Sequence, residues 1–266
     1  PASVGVSNAE RHEGAVLPAP FRWHEEHIAI DLPGGSALFS TRRGGCSSPP
    51  FESANVGASV GDDPAHVAAN RAALAALTGH PASAFAFGAQ VHGASVARVL
   101  ESPGAGWERG TPAAPIEADG QASARPGVPL VVITADCLPV ALMGTRAVAS
   151  LHAGWRGLAG GIVQAGVGAL RELGEDGPLQ AAIGPGARVC CYEVGEEVHD
   201  RFAAQGGPIR EGRRLDLPAF AARTLRGAGV TDVHDCRLCT ICDPERFFSH
   251  RRDGPTGRQC GVVWRS

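Results

Sequence analysis

Three short apolar runs, at residues 128–134, 138–143 and 147–151, follow one another with almost no chain between them. Each is rich in Val, Ile, Leu and Ala. Each is also shorter than the roughly 10–12 residues of an ordinary buried helix, so all three read as buried strands. That reading puts a sheet at the centre of the fold. The longest apolar stretch, Val128 to Met143, contains Thr134 and Asp136 and is too short and too polar to cross a bilayer. A carboxylate among apolar residues needs a partner, because an unpaired buried charge is costly. Asp136, beside Cys137, therefore asks for an explanation beyond packing.

Around this centre the pattern is mixed. Residues 27–31 and 37–41 flank Leu32-Pro33-Gly34-Gly35-Ser36, a turn between two strands. Residues 41–61, rich in Gly, Ser and Pro, read as a long loop. Asp63-Pro64 opens a helix, with Asp as cap and Pro in the first turn. Val67, Arg71, Leu74 and Leu77 continue it at helical spacing, and Gly79 ends it. Residues 85–91 and 95–100 read as paired strands, and 101–127 as a surface loop. A helix over 158–173, a strand over 179–183, helices over 195–204 and 217–226, and strands over 230–234 and 258–264 complete the chain. Strands outnumber helices and do not alternate strictly with them, which predicts a mixed α+β fold. Residues 1–24 are expected to be a flexible tail, leaving 25–266 as a single domain.

Charge is nearly balanced, at −3, so neither nucleic acid nor a membrane is an expected partner. All 24 basic residues are Arg. Lysine Schiff-base and amine-nucleophile chemistry is thereby excluded. An anion must be held by Arg, backbone N–H groups or a metal. Eight Cys in a chain large enough to build its own core, without a secretory apolar segment, lead to an expectation of reduced thiols and a cytoplasmic location.

Three Gly-flanked motifs carry the candidate chemistry: Gln90-Val91-His92-Gly93, Ala135-Asp136-Cys137 and His152-Ala153-Gly154-Trp155-Arg156-Gly157. Two histidines and a cysteine with one open position suit catalytic zinc. The same three residues also suit a Cys–His nucleophile. The turn after His152 leads into a helix and offers free N–H groups to an anion, with Trp155 and Arg156 beside them. Thr41-Arg42-Arg43-Gly44-Gly45 and the segment from Ser249 to Arg258 are further candidate anion loops. Cys239-Thr240-Ile241-Cys242 has metal-knuckle or redox spacing, but no second Cys-x-x-Cys exists. A structural or incidental role is thus expected for it rather than a complete four-cysteine zinc site. Spacing alone does not assign Cys190-Cys191.

Together with Ile183-Gly184-Pro185-Gly186, Cys191-Tyr192-Glu193-Val194 and the segment from Phe247 to Arg258, these motifs resemble the YfiH/DUF152 family. Its members have also been called laccase-domain proteins, polyphenol oxidases and peptidoglycan editing factors. The resemblance covers about residues 25–265. It implies zinc at His92, Cys137 and His152, and makes 25–266 a catalytic zinc domain. It further implies phosphorolysis of adenosine, inosine and methylthioadenosine, together with adenosine deamination. The implied fold is a layered α/β/β/α sandwich similar to that of a bacterial deamidating toxin with a Cys–His site. One departure is His250, where the family often has an aromatic residue.

A phosphorylase must hold a phosphate dianion and stabilise positive character on the sugar as the base leaves. Arg42, Arg43, Arg156 and Arg251 are the expected phosphate ligands, with Asn55 and Gln90 completing the substrate set. Asp136 is the available carboxylate for proton transfer. The usual deaminase signature, H-x-E followed by P-C-x-x-C, is absent. The competing reading is a metal-free amide hydrolase acting on a cell-wall peptide, with Cys137 as nucleophile and His152 or His92 as base. Copper oxidase chemistry is disfavoured: there is no H-x-H pair and Met143 is the sole methionine. A non-catalytic zinc-stabilised binding protein is the remaining alternative.

Overall fold

The structure is a computed structural model that describes residues 16–101, 106–109 and 116–265. Its strands are β1 (Arg22–His24), β2 (His27–Leu32), β3 (Gly35–Phe39), β4 (Val96–Arg98), β5 (Gly120–Ser123), β6 (Leu130–Thr134), β7 (Leu138–Met143), β8 (Val148–Ala153), β9 (Leu179–Ile183), β10 (Arg210–Glu211), β11 (Arg214–Leu215), β12 (Val230–Asp235) and β13 (Gln259–Arg265). The helices are α1 (Pro64–Thr78), α2 (Gly106–Arg109), α3 (Trp155–Gly160), α4 (Ile162–Glu172), α5 (Glu196–Asp200), α6 (Leu217–Gly227) and α7 (His250–Asp253).

Two sheets form the centre. One is antiparallel throughout, in the order β1-β2-β3-β13-β6. The other is mixed, in the order β12-β9-β7-β8-β5-β4, with parallel pairs only at its two edges. The Gly34 turn joining β2 to β3 has φ +92°, and a Cβ there would lie 2.0 Å from Gly144 O, so no other residue fits.

The apolar runs are continuous because β7 is buried on both faces. On one face Ala141 and Met143 meet Phe39, Ile28, Ile30 and Val263 of the first sheet. On the other, Leu138, Val140 and Leu142 meet Ile162, Val163 and Leu170 of α4 and Phe220 and Leu225 of α6. The outer face of the first sheet is covered by Leu74 and Ala75 of α1, together with Phe85 and Trp107. The layers therefore run α/β/β/α, as the family resemblance implied. Arg71, on the core-facing stripe of α1, is buried because its guanidinium donates to Val56 O (2.8 Å) and Trp107 O (2.7 Å) and lies over the Trp107 ring. None of the described helices is long and apolar enough to cross a membrane.

Several expectations are corrected. Residues 85–91 do not form a strand; they make isolated bridges at Ala86 and Ala89 only. The strand expected over 95–100 is β4, and it pairs in parallel with β5 rather than with the segment before it. β5 itself lies inside the stretch expected to be loop. Of that stretch, residues 102–105 and 110–115 lie outside the described residues. The helix expected over 158–173 starts earlier and is divided into α3 and α4 by Gly161, at φ +92°. The helix over 195–204 shortens to α5 and a 3-10 turn at Ala203–Gln205. Within the segment expected to be a tail, Phe21 is buried and Arg22–His24 form β1. Residues 1–15 lie outside the described residues.

Candidate metal centre and its neighbouring pocket

Strand register brings the motifs together. Leu138 pairs with Ala153 and Pro139 with His152 across β7 and β8. Cys137, just before β7, therefore lies beside Gly154, just after β8. A Cβ on Gly154 would stand 2.8 Å from Cys137 Sγ, so the thiol occupies the space that the missing side chain leaves. On the other flank of β8, Gly120 of β5 pairs with Leu151, and His152 N donates to Asp119 O (2.7 Å). Three adjacent strand ends thus deliver Cys137, His152 and Asp119 to one point.

His92 arrives from a loop, and Asp119 is what holds that loop. Its carboxylate accepts from the N–H groups of Val91 (3.0 Å), His92 (2.9 Å) and Gly93 (2.7 Å). These bonds stabilise His92 in the left-handed region, at φ +61°, where a non-glycine residue is strained. Asp119 Oδ1 also lies 2.7 Å from His152 Nδ1. With Nδ1 donating to the carboxylate, Nε2 of His152 is the atom that can bind a metal once its proton is displaced, the arrangement that orients ligating histidines.

The ligand atoms of His92, Cys137 and His152 all lie within 4.8 Å of one another, and the two rings meet edge to face with centroids 4.9 Å apart. Burial would raise the Cys137 thiol, but His152 and His92 bring it down to about 6. Burial would lower His152, but the Cys137 thiolate and Asp119 lift it to about 9. Burial likewise works against Asp119 ionisation, yet His152 and the N–H groups of Gly93 and Val91 hold it below the usual carboxylate range. These neighbours favour a thiolate at Cys137 and an imidazolium at His152, backed by the Asp119 carboxylate.

A cavity of about 400 Å³ opens next to this group, walled by Trp155, Tyr192, Glu193, Arg213 and Arg251 among others. Arg156 stacks over Trp155 at 4.4 Å and Arg251 over Tyr192 at 4.9 Å. Burial pushes the Tyr192 phenol up to about 12, and the Cys137 thiolate adds to the shift while Arg251 and Arg156 oppose it, so all four share one electrostatic neighbourhood. α3 is only six residues long. It presents no extended helix N-terminus, so anion attraction here falls to the side chains of Arg156, Arg213 and Arg251.

A family model described as multi-copper polyphenol oxidoreductase laccase matches residues 36–266. A purine nucleoside phosphorylase of Pseudomonas aeruginosa is 39% identical over 241 residues, covering 86% of this chain and 92% of the relative. The purine nucleoside phosphorylase YfiH of Escherichia coli is 38% identical, covering 87% and 94%. YlmD from Geobacillus stearothermophilus superposes with TM-score 0.86 at 32% identity, over 93% of this chain and 99% of that one. A DUF152 protein of Neisseria meningitidis superposes with TM-score 0.76 at 34% identity, over 91% and 100%. The chain belongs to the YfiH family.

In this YfiH-family chain the other residues singled out from sequence hold loops in place. Asp136, at φ +91°, accepts from Thr240 Oγ1 (2.7 Å) and from Arg251 N (2.7 Å), so both carboxylate oxygens are engaged. The Gln90 amide pairs with the backbone of Ile133, donating at 2.8 Å and accepting at 2.7 Å. Asn55 is fully buried; it donates to Asp62 Oδ2 and accepts from the N–H groups of Gly57 and Arg258. Arg42 donates to Glu52 O and Pro244 O, and Arg43 to Glu245. Arg156 and Arg251 alone of the expected anion ligands flank the pocket. Sequence reasoning missed Asp119; Arg258, the end of one candidate anion loop, feels the charges of Asp136 and Cys137. Asp119 was hidden because β5 reads Gly-Gln-Ala-Ser and shows no apolar alternation.

Proposed function

We propose that the chain is a purine nucleoside phosphorylase that uses one zinc ion and acts on adenosine, inosine and methylthioadenosine, with adenosine deamination as a side activity. The observation that carries this is the convergence of His92, Cys137 and His152 beside an aromatic, arginine-flanked cavity. The names of relatives 38–39% identical support it. The donor set fits zinc: two imidazoles and a thiolate, one imidazole oriented by a buried carboxylate, with no fourth side-chain ligand in the group. Bound there, zinc supplies a Lewis-acidic positive centre for phosphate or water.

The chain's own residues do the rest. Trp155 and Tyr192 offer aromatic faces to a purine, and Arg156 and Arg251 supply the guanidinium charge that a phosphate dianion needs. Asp119 fixes His152 and the His92 loop. Asp136, the carboxylate first considered for proton transfer, acts by positioning Arg251. A set of type-1 and clustered copper sites is disfavoured, because this is the one histidine-containing metal group among the described residues. Incubation with adenosine, with and without phosphate, should give adenine only when phosphate is present, and inosine at a lower rate. Neither product from the native chain, or unchanged products from His92→Ala, would overturn the reading.

A second reading has its own observation. Asp119, His152 and Cys137 also form an orienter, base and nucleophile in sequence, as an amide hydrolase requires. Metal analysis separates the two: amide hydrolysis that persists at full rate after zinc removal would favour the hydrolase.

A further inference from the structure

We propose that the chain carries a second, structural zinc site, made by the thiolates of Cys190, Cys191, Cys239 and Cys242. It is independent of the reaction at the first site. The cysteine pair whose missing counterpart argued against a four-cysteine site finds it in Cys190-Cys191, about fifty residues away in the chain. The four sulfurs lie within 4.8 Å of one another. A zinc tetrathiolate with Zn–S of about 2.3 Å sets sulfurs about 3.8 Å apart, inside that envelope. Cys242 Sγ stands 2.8 Å from Cys191 Sγ and 3.4 Å from Cys190 Sγ, so it is shared between two neighbours rather than paired with one.

The local backbone is shaped for the same ligand. Thr240 N donates to Gly186 O (3.1 Å), which fastens this turn to the segment leading to Cys190. Cys190 and Cys242 are exposed and Cys239 is buried, so a cation can enter from solvent and be enclosed on its inner side.

The position gives the site a task. The 239–242 turn supplies Thr240 Oγ1 to Asp136 (2.7 Å) and the carbonyls of Thr240 and Ile241 to Arg252 (2.7 and 3.1 Å). Cys191 is followed directly by Tyr192 and Glu193 of the cavity wall. One ion bound to all four thiolates ties these two segments together, and with them the wall of the pocket. Four sulfur donors select zinc or iron over harder cations, and a redox-inert ion suits a clamp.

The His92→Ala/His152→Ala chain, which lacks the first site, tests this directly. It should still hold one zinc per molecule by elemental analysis, and adding Cys239→Ser/Cys242→Ser should remove that zinc. Cobalt(II) titration of the same histidine variant should give the intense thiolate-to-cobalt charge-transfer band of a tetrathiolate. The native chain should give that band too, so the test does not depend on any variant folding. Absence of zinc and of the band in the histidine variant would overturn the proposal. So would iron in place of zinc, or a Cys191–Cys242 disulfide in protein prepared under reducing conditions.

Discussion

Asp119 joins the separate parts of the first site. One fully buried carboxylate takes three N–H groups of the His92 loop and the Nδ1–H of His152. Asp119→Asn keeps the shape but gives up the charge and some of the acceptor capacity. Zinc affinity, read by competition with a chromophoric chelator, should fall by about 10–100-fold; an unchanged affinity would deny Asp119 its orienting role. The thiolate–imidazolium pair sets the pH dependence. Cys137 is ionised above about 6 and His152 stays protonated up to about 9. Metal needs a thiolate and a neutral imidazole. Zinc binding between those limits should therefore displace the His152 proton, and below about pH 6 a Cys137 proton as well, so affinity falls as pH falls and falls more steeply below 6. Calorimetry near pH 7.5 in buffers of different ionisation enthalpy checks the sign; a heat that does not depend on buffer contradicts it.

At the scale of elements, β7 is the central support. It pairs with β8 and β9 and is buried on both faces, so its end places Cys137 with little freedom. Leu142 lies under α4, and Leu142→Ala should lose about 2–5 kcal/mol in urea unfolding. Leu100→Ala, at a side chain 63% exposed, should stay within about 0.5 kcal/mol. Equal effects would mean that the face under α4 is not the stabilising one. β4 and β5 show where local pattern fails. They are three and four residues long, and β5 carries Gln121 and Ser123 in buried positions. Its burial comes from lying between β8 and β4, not from its own hydrophobicity. The helix over 158–173 was legible from its apolar stripe, whereas its division at Gly161 depended on a backbone angle that composition does not report.

Over the whole molecule, three apolar clusters hold four layers together, and none of them includes His92, Cys137 or His152. Stripping the first site of metal should therefore abolish phosphorolysis while leaving the helix and strand signal of circular dichroism and a cooperative unfolding transition. Loss of the fold in His92→Ala would instead favour the zinc-stabilised binding protein. The buried strands 128–134, 138–143 and 147–151, the capped helix after Asp63, the α+β class and the His, Cys and His motifs are all legible in the chain alone. These rest on periodicity, caps and glycine spacing, which act over a few residues. It takes the folded chain to show that Asp119 is the carboxylate behind the site, that Asp136 holds Thr240 and Arg251 instead, that Asn55, Gln90, Arg42 and Arg43 secure loops, and that Cys190-Cys191 meets Cys239 and Cys242. The physical reason is that each of these is a pairing between segments distant in the chain. Strand order and register fix such pairings, and no local pattern of residues encodes which strands become neighbours.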